Sequence, residues 1–111
     1  MDNKQVYGKR FSGSSGSATA ATATIAAVTN GVHYITDISG GSAMSTATLT
    51  VLDGSNILWQ VRIGNSAGYE HSFVQPLASA SGNAVSITVD GVAPAAAGRN
   101  CFANIAGYTI S

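Results

Sequence analysis

Two histidines, one cysteine and five carboxylates carry whatever chemistry this sequence could perform beyond packing and hydrogen bonding. His33 precedes Asp37 by four residues. On a strand that spacing puts both on one face about 13 Å apart, too far to share a metal ion. His33 is therefore expected as a partly exposed strand residue, and His71 has no ligand-type neighbour at metal spacing. Cys101 sits in RNCFAN with only Arg99 as a nearby charge. A thiol nucleophile needs a base to activate it, so Cys101 is expected to be a small, half-buried packing residue.

The carboxylates are equally unpromising for catalysis. Asp53 and Asp90 each precede a glycine, the dipeptide of a tight turn. That leaves Asp37 and Glu70 as the pair for two-carboxylate hydrolysis, and nothing in the sequence brings them together. No Gly-x-Ser-x-Gly elbow and no glycine-rich phosphate loop occur. The expectation is a protein that is not an enzyme, with no catalytic residues, no metal and no cofactor. Of the aromatics, Trp59 alternates with Ile57, Val61 and Ile63 and reads as core. Tyr69, between Gly68 and Glu70, is the better candidate for an exposed contact.

The elements that would position these residues follow a period of two. Val32 to Ile38 places Val32, Tyr34, Thr36 and Ile38 on one face. Met44 to Leu52 sets Ala47, Leu49 and Val51 inward and Thr46, Thr48 and Thr50 outward. Ile57 to Ile63 puts Ile57, Trp59, Val61 and Ile63 on the core face. Further runs fall at Ile25–Thr29, Tyr69–Val74, Val85–Val89 and Cys101–Ile110. Asn30-Gly31, Gly40-Gly41, Asp53-Gly54 and Asp90-Gly91 punctuate them. Seven or eight short strands with such turns predict an all-β, antiparallel β-sandwich of jelly-roll type over 25–111. Residues 1–24, polar and then rich in Gly, Ser, Ala and Thr, predict a flexible N-terminal arm.

Composition narrows the setting. Only 9% of the 111 residues are charged, and five basic against five acidic groups give a net charge of zero. No basic patch calls for nucleic acid and no polybasic run for an anionic membrane, so neither is expected as a partner. So neutral a surface has little charge repulsion to keep copies apart, which favours life in an assembly. The single cysteine excludes an internal disulfide, and the polar N-terminus predicts no secretory leader.

The run GVHYITDISGGSAMSTATLTVLDGSNILWQVRIG, the later FVQPLASASGNAVSITVDG and the closing NIAGYTIS resemble small jelly-roll virion proteins of tailed bacteriophages. Those serve as head decoration (cement) proteins or as tail-fibre modules. The resemblance covers about three-quarters of the chain and implies a homotrimer. It further implies a partner in the major capsid protein or another virion protein, and a place on the capsid surface or tail after assembly in the host cytoplasm. On that reading Lys4, Tyr7, Lys9, Arg10 and Phe11 of the arm contact the shell. The alternative is a receptor-binding module that meets a host glycan or protein through loops 64–70 and 91–99, with Asn65, Tyr69 and Arg99 as contacts.

Overall fold

A computed structural model of the protein describes residues 9–17, 20–42, 47–63, 68–91 and 101–111. They form eight strands: β1 (Lys9–Ser17), β2 (Ala20–Ile25), β3 (Val32–Ser42), β4 (Ala47–Asp53), β5 (Asn56–Ile63), β6 (Gly68–Ala78), β7 (Val85–Gly91) and β8 (Cys101–Ile110). Two four-stranded antiparallel sheets result, ordered β1-β8-β3-β6 and β2-β7-β4-β5. Consecutive strands switch between the sheets, except β4 and β5, and this order is that of a jelly-roll β-sandwich. The expected fold class is the observed one.

The period-two pattern builds the core. Ile35, Ile38, Leu49, Val51, Ile87, Val89 and Ile105 are all buried between the sheets. The intervening residues of β4 and β7, such as Thr48, Thr50, Ser86 and Thr88, are only partly covered. Each fully buried aliphatic side chain contributes roughly 1.5–3 kcal/mol, so these alternating positions set the register of every strand. At Gly40 side chains of the facing sheet leave no room for a Cβ. A Cβ there would stand 2.6 Å from Val89 Cγ2 and 2.9 Å from Leu49 Cδ1.

Turn chemistry closes the ends. Gly31 N–H donates to Val28 O at 2.8 Å, with Asn30 at φ 60°. The β4–β5 hairpin turns through Gly54 and Ser55, with Gly54 at φ 59°, so glycine takes the backbone state that side chains avoid.

Several expectations are corrected. Of the segment read as a flexible arm, residues 9–17 and 20–24 are sheet: β1 pairs with β8 over nine consecutive residues and β2 pairs with β7 over six. Small residues look like linker by composition, yet Ala21 and Ala23 are buried while Thr22 and Thr24 are exposed. Gly13 lies under Ile25, Ile105 and Ala23, where a larger residue would crowd. The strand expected at 25–29 ends at Ile25. Asp90 and Gly91 continue β7, paired to Ala20, Thr48 and Ala47, because strands on both sides hold them extended.

Two bulges reverse the parity. Between Ile35 and Asp37 the register of β3 shifts on both sides, so Val32 and Tyr34 face outward while Ile38 faces the core. His33 accordingly points inward and is fully buried, not partly exposed. A shift opposite Val51 and Leu52 leaves Ile57 58% exposed, and Leu58 packs against the core in its place. Cys101 is fully buried instead of half-buried, its Sγ 3.4 Å from Ser42 Oγ.

Candidate functional site

The outward positions of the β1-β8-β3-β6 sheet line a groove of about 740 Å³. Its polar lining comes from all four strands: Ser12 on β1, Asn104 on β8, Asp37 and Ser39 on β3, Glu70 and Ser72 on β6. Each is placed by the alternation that buries its neighbour, so Ile38 and Ile105 in the core fix Asp37, Ser39, Asn104 and Ala106 on the face.

Hydrogen bonds hold this floor in one arrangement. The Asp37 carboxylate accepts from Ser72 Oγ at 2.6 Å and from Thr36 Oγ1 at 2.8 Å. Thr36 is the residue the β3 bulge leaves over, and its hydroxyl also reaches Ala106 O at 3.3 Å. Asn104 Nδ2 donates to Ser39 Oγ at 3.0 Å. Side chains locked in this way pay little further ordering entropy when a ligand arrives.

Aromatic residues stand beyond both ends of the floor on β8. At one end Tyr108 stacks on Tyr34 of β3, with ring centroids 5.1 Å apart and planes 17° from parallel. At the other, Phe102 is 46% exposed and lines a second depression of about 370 Å³, which shares Ser39 and Glu70 with the first. Six residue steps along the strand separate Phe102 from Tyr108, about 20 Å. The face is thus an elongated polar trough with an aromatic group at either end.

A second aromatic group lies at the opposite flank, between edge strands β5 and β6. Trp59 packs against His71 (4.9 Å) and edge-on against Phe73 (5.1 Å), and Tyr69 lies parallel to His71 at 6.3 Å. The Trp59 indole N–H is buried and meets no acceptor among the described residues. Trp59, Tyr69 and Phe73 pack against the core cluster, which makes this group the closure of the sandwich's side.

The residues expected to be functional are dispersed. Lys4, Tyr7, Asn65 and Arg99 lie outside the described residues. The backbones of Lys9, Arg10 and Phe11 pair with Thr109, Tyr108 and Gly107, so this part of the supposed arm is an edge strand. Tyr69 belongs to β6, not to a loop; it is half-buried and borders the second depression. Asp37 and Glu70, which the sequence leaves apart, line the same groove because β3 pairs with β6. Among the described residues no three His, Cys, Asp or Glu side chains come together as a metal site. His33 is a structural residue: Nε2 lies 2.9 Å from Ala26 O and Nδ1 2.6 Å from Thr109 Oγ1.

No family model matches the chain, and no curated protein matches it. Among solved structures it is similar to the insecticidal delta-endotoxin Cry8Ea1 of Bacillus thuringiensis. The TM-score is 0.54 and the identity 14%, over 86% of this chain and 19% of the endotoxin chain. The chain therefore spans about a fifth of that protein's length. This likeness shows the fold alone. Weaker likenesses join it to the carbohydrate-binding module CBM36 in complex with calcium and xylotriose (TM-score 0.41, 10% identity, 78% of this chain and 70% of that one). The CBM36-1 domain of a multidomain xylanase from the hindgut metagenome of Trinervitermes trinervoides gives the same TM-score at 14% identity, over 78% and 68%. At those TM-scores neither carries an argument.

Proposed function

We propose that this domain is a non-catalytic binding module that takes an extended, hydroxyl-rich chain, a glycan, along the outer face of the β1-β8-β3-β6 sheet. The observation that carries the reading is the four-strand polar floor of the groove, with carboxylate, amide and hydroxyl groups held at fixed positions. Carboxylate and amide groups exchange hydrogen bonds with sugar hydroxyls, and aromatic rings cover the apolar faces of sugar rings. The Tyr34–Tyr108 pair and Phe102 provide such rings at either end. Nothing in this reading needs bond chemistry, and the module binds its ligand without transforming it.

This is the receptor-binding alternative raised by the sequence, moved from the loops to a sheet face. The virion setting suggested by the resemblance fits it, since a module on a phage tail or head surface that grips host glycans needs only such a face. A cement role is less well supported, because residues 9–17 are committed to the chain's own sheet and are not free to run along a shell.

A glycan array followed by titration calorimetry on the best ligand tests the proposal. Asn104→Ala and Tyr108→Ala are expected to weaken binding about tenfold or more, the effect of roughly 1.4 kcal/mol. Thr50→Ala, on the outer face of the other sheet, serves as control. Equal affinity of all three variants would overturn the placement of the site. No binding to any neutral glycan by the folded wild-type protein would overturn the function.

A further inference from the structure

We propose that the outer edge of β1, which no other described strand covers, pairs with the same strand of a second copy, giving a two-fold dimer in which two four-stranded sheets continue as one of eight. A jelly roll has four edge strands, here β1 and β6 in one sheet and β2 and β5 in the other. Exposed edges template pairing with another chain, and stable monomers blunt them with bulges, proline or charge.

The β6 edge is blunted heavily. Its pairing with β3 jumps from Ser72 to Leu77, so Phe73–Pro76 leave the ladder, with Val74 fully exposed and a proline that cannot donate. The β5 edge carries the Leu58 bulge and Arg62. The β1 edge has no bulge and no proline, and its only charges, Lys9 and Arg10, stand at its first two positions. It runs nine residues against β8 with no shift of register, about 30 Å of continuous strand, and from Phe11 to Ser17 it has no charge and no proline.

The remaining question is the occupant. Pairing β1 with β6 of another molecule would be head-to-tail and would grow a filament, and the β6 excursion removes the straight edge this requires. Pairing β1 with itself closes. An antiparallel register centred on Gly13 sets each Lys9 opposite a Ser17, each Arg10 opposite a Gly16, each Phe11 opposite a Ser15 and each Ser12 opposite a Ser14. No two charged residues fall opposite each other in this register. The β1 sequence is therefore compatible with its own copy along its whole length, which favours the second copy as occupant over an unrelated strand.

Sedimentation equilibrium on the full chain is the test. The expected mass is twice that of the 11.1 kDa chain at micromolar concentration. The double variant Ser12→Lys/Ser14→Lys places like charges across the two-fold and is expected to halve the mass, as is Ser12→Glu/Ser14→Glu. An equimolar mixture of the two restores the doubled mass. Should either variant unfold, amide exchange of wild-type β1 replaces it, and exchange there must slow several-fold as concentration rises. A monomer or trimer of the wild type, a mixture that stays at single mass, or β1 exchange independent of concentration would each overturn the proposal.

Discussion

Asp53 shows how one residue's chemistry changes meaning once its neighbours are known. In sequence it begins an Asp-Gly turn; in the fold it is 6% exposed and its carboxylate ties the β4–β5 hairpin to the β6–β7 connection. Oδ2 accepts from Ala80 N–H at 2.8 Å and Oδ1 from Asn83 Nδ2 at 3.0 Å. Both donors lie about 30 residues away in the chain. Hydrogen bonds to a charged acceptor are worth more than neutral ones, and orphaning a buried donor adds its desolvation cost. Asp53→Ala is thus expected to destabilise the fold by about 2–3 kcal/mol in urea denaturation, with the m-value unchanged. Asn83→Ala removes one partner only and should cost about 1 kcal/mol. Equal stability of Asp53→Ala and wild type would show that the link does nothing. His33 makes the same point, since its neighbours Ala26 and Thr109 are joined to it by the fold and not by sequence.

At the scale of elements, the strands whose alternation is clean are legible and those that bulge are not. β4 and β7 present Ala47, Leu49, Val51, Val85, Ile87 and Val89 inward as their period of two requires. β3 and β5 break the pattern at Thr36 and Leu58, where one extra residue turns Val32, Tyr34 and Ile57 away from the core while Ile38, Trp59 and Ile63 keep facing it. No local signal marks either bulge, because what it optimises is the fit to two neighbouring strands. The candidate groove is illegible for the same reason. Its polar residues come from four strands, and only the β3–β6 and β3–β8 pairings put Asp37 beside Ser72 and Ser39 beside Asn104. Gly40, read as a strand breaker, lies inside β3, where the Val89 and Leu49 side chains of the facing sheet fill the space a Cβ would take. A Cβ would also stand 3.0 Å from the Phe102 carbonyl, which cannot swing aside. Gly40→Ala is therefore expected to cost about 1–3 kcal/mol by overpacking. A thermal melt decides it: an unchanged midpoint would mean that the sheets part freely at this contact.

At the scale of the whole molecule, the question is whether the first strands belong to the fold or merely border it. Composition argues for a linker, because glycine, serine and alanine bury little apolar area. Geometry argues otherwise. β1 covers one side of β8, and Gly13 fits beneath Ile25 and Ile105 so that the flank between the two sheets is closed. Residues 9–17 thus act through backbone pairing and through the space they leave for larger neighbours. Removing residues 1–17 should then unpair the β8 edge from Cys101 to Thr109 and uncover Ile105. A dispensable tail predicts the same melting midpoint for this truncation as for the intact chain. An integral edge strand predicts a loss of several kcal/mol, on the order of half the stability of a domain this size, together with a tendency to associate through the newly bared β8 edge. Thermal melting with light scattering separates the two. The nine-residue ladder makes the second outcome the expected one, because β8 would otherwise be left with hydrogen-bonding groups along a full side and no side-chain device to protect them.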